Sequence, residues 1–217
     1  MLTRKEGLYF VAFIFCLIQT RCGARDPSCQ IFDTGSTELF ETCGHFTNVS
    51  QLRTGIPRPQ LTDPLYFVLA DSHIEYLPDD IFDQLLIRNL SFEKVTIGRY
   101  PDHHQNAFDA IKATLRQVTF GPNSTLPQSW NVLGEVADLE TLGLEGQTVR
   151  IDRSWAALPR GLKRILIMKS DVSGQEDGAL ASFTDLEEFM MTESGADTFS
   201  WAVLPNPAPK LTTLRLE

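Results

Sequence analysis

Any chemistry in this 217-residue chain would have to come from four cysteines, four histidines and a few acidic clusters. Cys16 and Cys22 fall within the first 24 residues, and Cys29 and Cys43 lie beyond them. No C-x-x-C or H-x-x-x-H spacing occurs, so the ligand pattern of a zinc site is missing. Asp102-His103-His104 sets two imidazoles side by side, but adjacent side chains point apart and no further ligand is spaced for them. Asp79, Asp80 and Asp83 lack the glycine turn and ligand spacing of a calcium loop and read as a surface charge cluster beside Phe82. His45 and His73 have no recognisable catalytic context, and there is no glycine-rich phosphate loop, G-x-S-x-G elbow or H-E-x-x-H helix. The expectation is a protein without catalysis, bound metal or cofactor.

The N-terminus reads as an address. Arg4 and Lys5 precede the apolar run Leu8–Ile18, and a short polar stretch with small residues ends at Ala24. This is the layout of a secretory signal peptide over residues 1–24, too short in its apolar part to span a bilayer. No second long apolar run follows, so no membrane span is expected within the chain. Cleavage after Ala24 leaves Cys29 and Cys43 as an even pair in an oxidising compartment, which predicts one disulfide. Cleavage after Thr20 would leave Cys22 as a third cysteine. Three N-x-[ST] sequons begin at Asn48, Asn89 and Asn123, and behind a signal peptide they fit a secreted glycoprotein. Net charge is −9, and setting aside the +2 of residues 1–24 leaves −11 on the remainder. Such a surface repels phosphate backbones, so nucleic acid is not an expected partner.

The elements that must position these residues come from a repeat. Segments starting at residues 64, 87, 115, 139, 162, 186 and 211 carry large apolar side chains at offsets 0, 3 and 5. Their spacings run from 23 to 28 residues, and of 21 such positions only Pro64 is not aliphatic, Phe or Met. Offsets 3 and 5 differ by two, so both side chains leave one face of a short strand. One strand cannot bury that face alone, whereas stacked copies form a parallel sheet over a continuous core. Leu77-Pro78, Leu126-Pro127, Leu158-Pro159 and Leu204-Pro205 interrupt regular helix in the returning segments.

Residues 64–217 thereby resemble the leucine-rich repeat family, L-x-x-L-x-L-x-x-N-x-L, in its secreted, extracellular, arthropod-like form. The resemblance implies an α/β solenoid of about seven repeats, a curved parallel sheet whose concave face binds other macromolecules. Residues 25–63 read as its N-terminal cap, with Cys29 and Cys43 similar to part of a cysteine-rich flanking module. The family's ladder asparagine, at offset 8, is present only at Asn123; Ser72, Val95, Gln147, Ser170 and Ser194 stand there elsewhere, so the amide ladder is thin. Asn123 is expected to turn inward as a ladder residue and to escape glycosylation, leaving Asn48 and Asn89 as the modified sites. Glu217 follows the last core position directly, which reads as a fragment of a longer product.

Offsets 2, 4 and 6 should face away from the core. Leu166, Met168 and Met190 fall there on consecutive strands, with Arg164 and Glu188 beside them. An apolar centre with a charged rim is the anatomy of a protein-binding patch, and flexible Met suits an adaptable contact. The expected function is binding of an extracellular protein or glycan. Two other readings remain: the ectodomain of a membrane-anchored receptor or adhesion protein, and a non-catalytic subunit of a secreted enzyme complex.

Overall fold

The computed structural model describes residues 26–33, 39–58, 63–101, 106–195 and 198–217. The expected signal segment and the Asp102-His103-His104 cluster lie outside the described residues. Among the described residues eleven strands follow in chain order: β1 Ser28–Asp33, β2 Leu39–Gly44, β3 Leu65–Ile74, β4 Ile87–Ile97, β5 Gln117–Phe120, β6 Thr141–Glu145, β7 Thr148–Ile151, β8 Arg164–Met168, β9 Asp171–Gln175, β10 Glu188–Thr192 and β11 Thr213–Leu216. Nine of them form one sheet in the order β1-β2-β3-β4-β5-β6-β8-β10-β11, and β7 pairs with β9 in a second, parallel sheet. Every pairing from β2 to β11 is parallel, and β1 alone runs antiparallel to its neighbour. A single α-helix among the described residues, α1 Val49–Gly55, completes an α/β fold with a mostly parallel sheet.

Alternation explains the sheet's inner face. Phe67 and Leu69, Leu90 and Phe92, Val118 and Phe120, Leu142 and Leu144, and Ile165 and Ile167 are all essentially inaccessible, as is Phe189. Fully burying each such side chain stabilises by about 1.5–3 kcal/mol. The strands are held in step: Asn89, Gln117, Thr141, Arg164, Glu188 and Thr213, all at offset 2, pair in succession. Short 3-10 turns at Ala107–Ile111, Trp130–Leu133, Arg153–Ala157 and Trp201–Val203 occupy the returning segments in place of longer helices. Asn106, Ser129 and Asp152 cap three of them by accepting backbone N–H groups. Their aromatic residues close the other side of the core, with Trp130 and Trp155 ring centres 5.5 Å apart.

Seven successive repeats carry a left-handed residue at one place, inside β3 and β4 and just beyond the other strands. His45, Asp71, Lys94, Asn123, Gly146, Lys169 and Glu193 all have φ between 42° and 67°. Six of these seven sit at offset 7, counting β2 as a repeat that starts at residue 38. In the third repeat, Gly121-Pro122 inserts one residue, and the left-handed position passes from Pro122, whose ring fixes a negative φ, to Asn123. This corrects the expectation for Asn123, which is exposed at the turn and does not face inward. Ser124 takes the ladder place: its Oγ accepts from the Val95 N–H (3.2 Å) and donates to Phe92 O (3.0 Å). Ser72 and Ser170 likewise accept from the preceding repeat, from the N–H groups of Phe46 and Gln147, but donate within their own repeat, to Ala70 O and Met168 O. Three serine hydroxyls thus link neighbouring repeats where the sequence offers few amides.

Candidate functional site

The N-terminal region holds more of the array than its sequence announced. β2 pairs with β3 in the common register, Leu39 with Leu65 through Gly44 with Ala70. Its inner-face positions, opposite Phe67 and Leu69, are Glu41 and Cys43. An apolar template passes over such a strand, and its regular spacing from β3 was the signal that could have found it. β1 folds back over β2 and sets Cys29 opposite Cys43, and these two form the expected disulfide.

Glu41 is fully buried, as is Cys43, whereas Cys29 is half-buried. The Glu41 Oε2 has no hydrogen-bond partner, and Oε1 lies 3.6 Å from Cys43 Sγ. A disulfide sulfur carries no hydrogen, so this contact gains hydrogen-bond character only when the carboxyl holds a proton. Burial pushes the Glu41 carboxyl up to about 7. Among the described residues, Cys29, Glu41 and Cys43 are the one group of potential metal ligands whose donor atoms lie within 4.8 Å of each other. Two of its members are tied up in the disulfide.

The second candidate surface is the outer face of the sheet. Leu166 and Met190 are paired neighbours on β8 and β10, and Met168 lies two residues beyond Leu166. All three are half-buried, as are Arg164 and Glu188, which pair directly across the same strands. Arg164 Nε donates to Thr141 Oγ1 (2.9 Å), and its guanidinium lies 3.9 Å from Glu140, which anchors the head on β6. The five residues therefore share one connected patch. In the middle of the sheet, by contrast, outward positions are closed over. The Thr119 side chain leans onto Gly143, and Glu93 lies over Gly121, where a Cβ would collide with its carboxylate. Burial raises the Glu93 carboxyl above the usual range, opposed by the hydrogen bond from Ser91 Oγ (2.8 Å). Val68, Ser91 and Thr141 are buried although they point away from the core.

The remaining candidates do not assemble. Asp79 and Asp80 face Arg53 at 3.9 and 3.0 Å as ion-pair partners. His73 is exposed on β3, and His45 occupies the left-handed end of β2. Asn48 accepts from the Gln51 N–H through Oδ1 and so caps α1. Asn89 is half-buried on the outer face beside Tyr66, which stacks on Phe40 at 4.7 Å between ring centres. No helix among the described residues is long and apolar enough to cross a membrane. Searches against family models, curated proteins and solved structures find no match to this chain.

Proposed function

We propose that the chain is a secreted, N-glycosylated leucine-rich repeat solenoid that binds an extracellular protein or glycan through the outer, concave face of its sheet, without catalysis. The observation that carries this reading is the patch of Leu166, Met168 and Met190, half-exposed on paired strands and rimmed by Arg164 and Glu188. It lies where the outer face changes from small, covered residues to larger apolar ones. The regular 23- to 28-residue spacing and the linking serine hydroxyls support the solenoid. The apolar run Leu8–Ile18 and the Cys29–Cys43 disulfide support secretion.

Glycosylation is compatible with Asn48, because a glycan takes the side-chain nitrogen and leaves Oδ1 to cap α1. Asn89 and the exposed Asn123 are the other two acceptors. The test of the binding face is a Leu166→Ser, Met190→Ser double variant of the secreted protein. Secretion and Tm should stay near the wild-type values while co-purification of partners from the secreted fluid falls on the order of tenfold or more. A variant that folds and captures the same partners equally well would remove this patch as the binding surface.

A further inference from the structure

We propose that the Cys29–Cys43 bond is a reducible clasp on the N-terminal edge of the sheet, with Glu41 as its internal proton donor during thiol–disulfide exchange. The position itself argues for a chemical role. The equivalent residues of the next six strands are Phe67, Leu90, Val118, Leu142, Ile165 and Phe189, and a purely structural residue there would be apolar. Instead a buried carboxyl with an unpartnered oxygen sits 3.6 Å from a disulfide sulfur.

Among the described residues nothing competes for it. Ile31 on β1 and Phe67 on β3 are paired with it. The end of α1 meets Cys29 Sγ through Gly55 O at 3.3 Å. Arg53, the charged residue of α1, is directed to Asp79 and Asp80. The proton on Glu41 is therefore governed by burial, and near neutral pH it is present in a substantial fraction of molecules.

The exchange balances as follows. A thiolate of a small dithiol attacks Sγ of Cys29, the less buried of the two cysteines. A new S–S bond forms between reductant and Cys29, the Cys29–Cys43 bond breaks, and its electron pair leaves on Cys43 Sγ. A bare thiolate in that buried site is unfavourable, and Glu41 passes its proton to it, giving the Cys43 thiol and the Glu41 carboxylate. The second thiol of the reductant, deprotonated, then attacks its own mixed disulfide and releases Cys29 as a thiolate. Solvent protons restore Cys29 and Glu41. The dithiol is oxidised to a disulfide, and β1 is freed from its covalent tie to β2.

The experiment follows the reduction of the secreted protein by dithiothreitol from pH 5.5 to 9, trapping free thiols by alkylation and reading the mass shift. Each rate is divided by the concentration of dithiothreitol thiolate, because only the thiolate attacks. The normalised wild-type rate is expected to fall above pH 7, by up to about 10²-fold, as the internal acid is lost. Glu41→Gln should be slower at pH 6 and flat across the range. A flat wild-type profile would overturn the proposal, and so would a Glu41→Gln profile that keeps the same fall. Simple loosening of the edge on ionisation of Glu41 predicts a normalised rate that rises above pH 7, which would also overturn it. The wild-type profile is read independently, so a poorly folded variant leaves the test intact.

Discussion

β2 and β6 hold equivalent places in one parallel sheet, yet their inner faces are built from different chemistry. β6 turns Leu142 and Leu144 into the core, between neighbours that do the same. β2 turns in Glu41 and Cys43, and its outer neighbour is the antiparallel β1, joined to it by a disulfide. An interior strand is flanked on both sides by apolar copies of itself, whereas a strand near the edge must be closed by something else. Here the closure is covalent, and it brings a carboxyl into the core beside the sulfur. Register and core composition are thus separate properties of a repeat.

The largest effect should come from moving the edge chemistry inward. Leu142→Glu places an unpaired carboxyl between two apolar strands, and a loss of about 4–5 kcal/mol is expected in denaturant unfolding. If the variant unfolds near the wild-type midpoint, the two inner faces are alike after all. A smaller effect should come from making the edge neutral. The folded-state Glu41 holds its proton up to about 7, whereas the unfolded carboxyl releases it near 4.5. The unfolded state therefore binds fewer protons between those values. The contribution of Glu41 to stability is therefore greatest below about pH 4.5, falls as pH rises to 7 and is level above. Glu41→Gln should nearly match the wild type at pH 4.5 and exceed it by about 3 kcal/mol at pH 8. Equal stability at both pH values would show a carboxyl as solvated as one on the surface.

The smallest effect concerns what the two regions share. Glu193 is exposed and left-handed, with φ 50°. Glu193→Gly should raise stability by about 0.5–1 kcal/mol, the relief of the left-handed strain less the entropy of glycine. A loss would mean that the Glu193 side chain makes a stabilising contact that outweighs its backbone.

Much of the sheet was legible in the sequence because apolar residues two apart can serve only one face of a strand. Phe92, Phe120, Leu144 and Ile167 were placed correctly on that ground alone. β2 was passed over because Glu41 and Cys43 break the apolar pattern while keeping its spacing. A count of offsets misplaces Asn123, because it registers neither the one inserted residue nor the limit that the ring of Pro122 sets on φ. The linking hydroxyls escaped notice because serine is too common to stand out until its partners are seen. For the candidate site, the positions of Leu166, Met168 and Met190 followed from the register. The proximity of Glu41 to the disulfide did not, since it depends on the unrecognised strand.

The strict succession of strands also bears on how the chain finds this arrangement. Paired residues from β3 onward are separated by 22 to 28 positions, from Leu65 with Ile87 to Asn89 with Gln117, and Leu39 with Leu65 are 26 apart. The entropy lost in closing a loop grows only with the logarithm of its length, so the shortest and longest of these differ by about 0.2 kcal/mol. Among these parallel pairings none is favoured by proximity along the chain, unlike the local β1–β2 hairpin, whose Asp33 and Leu39 are close in sequence. What distinguishes them is the apolar surface each one removes from water, large where Leu142 and Leu144 meet Ile165 and Ile167. The parallel array should nucleate there and spread to both ends.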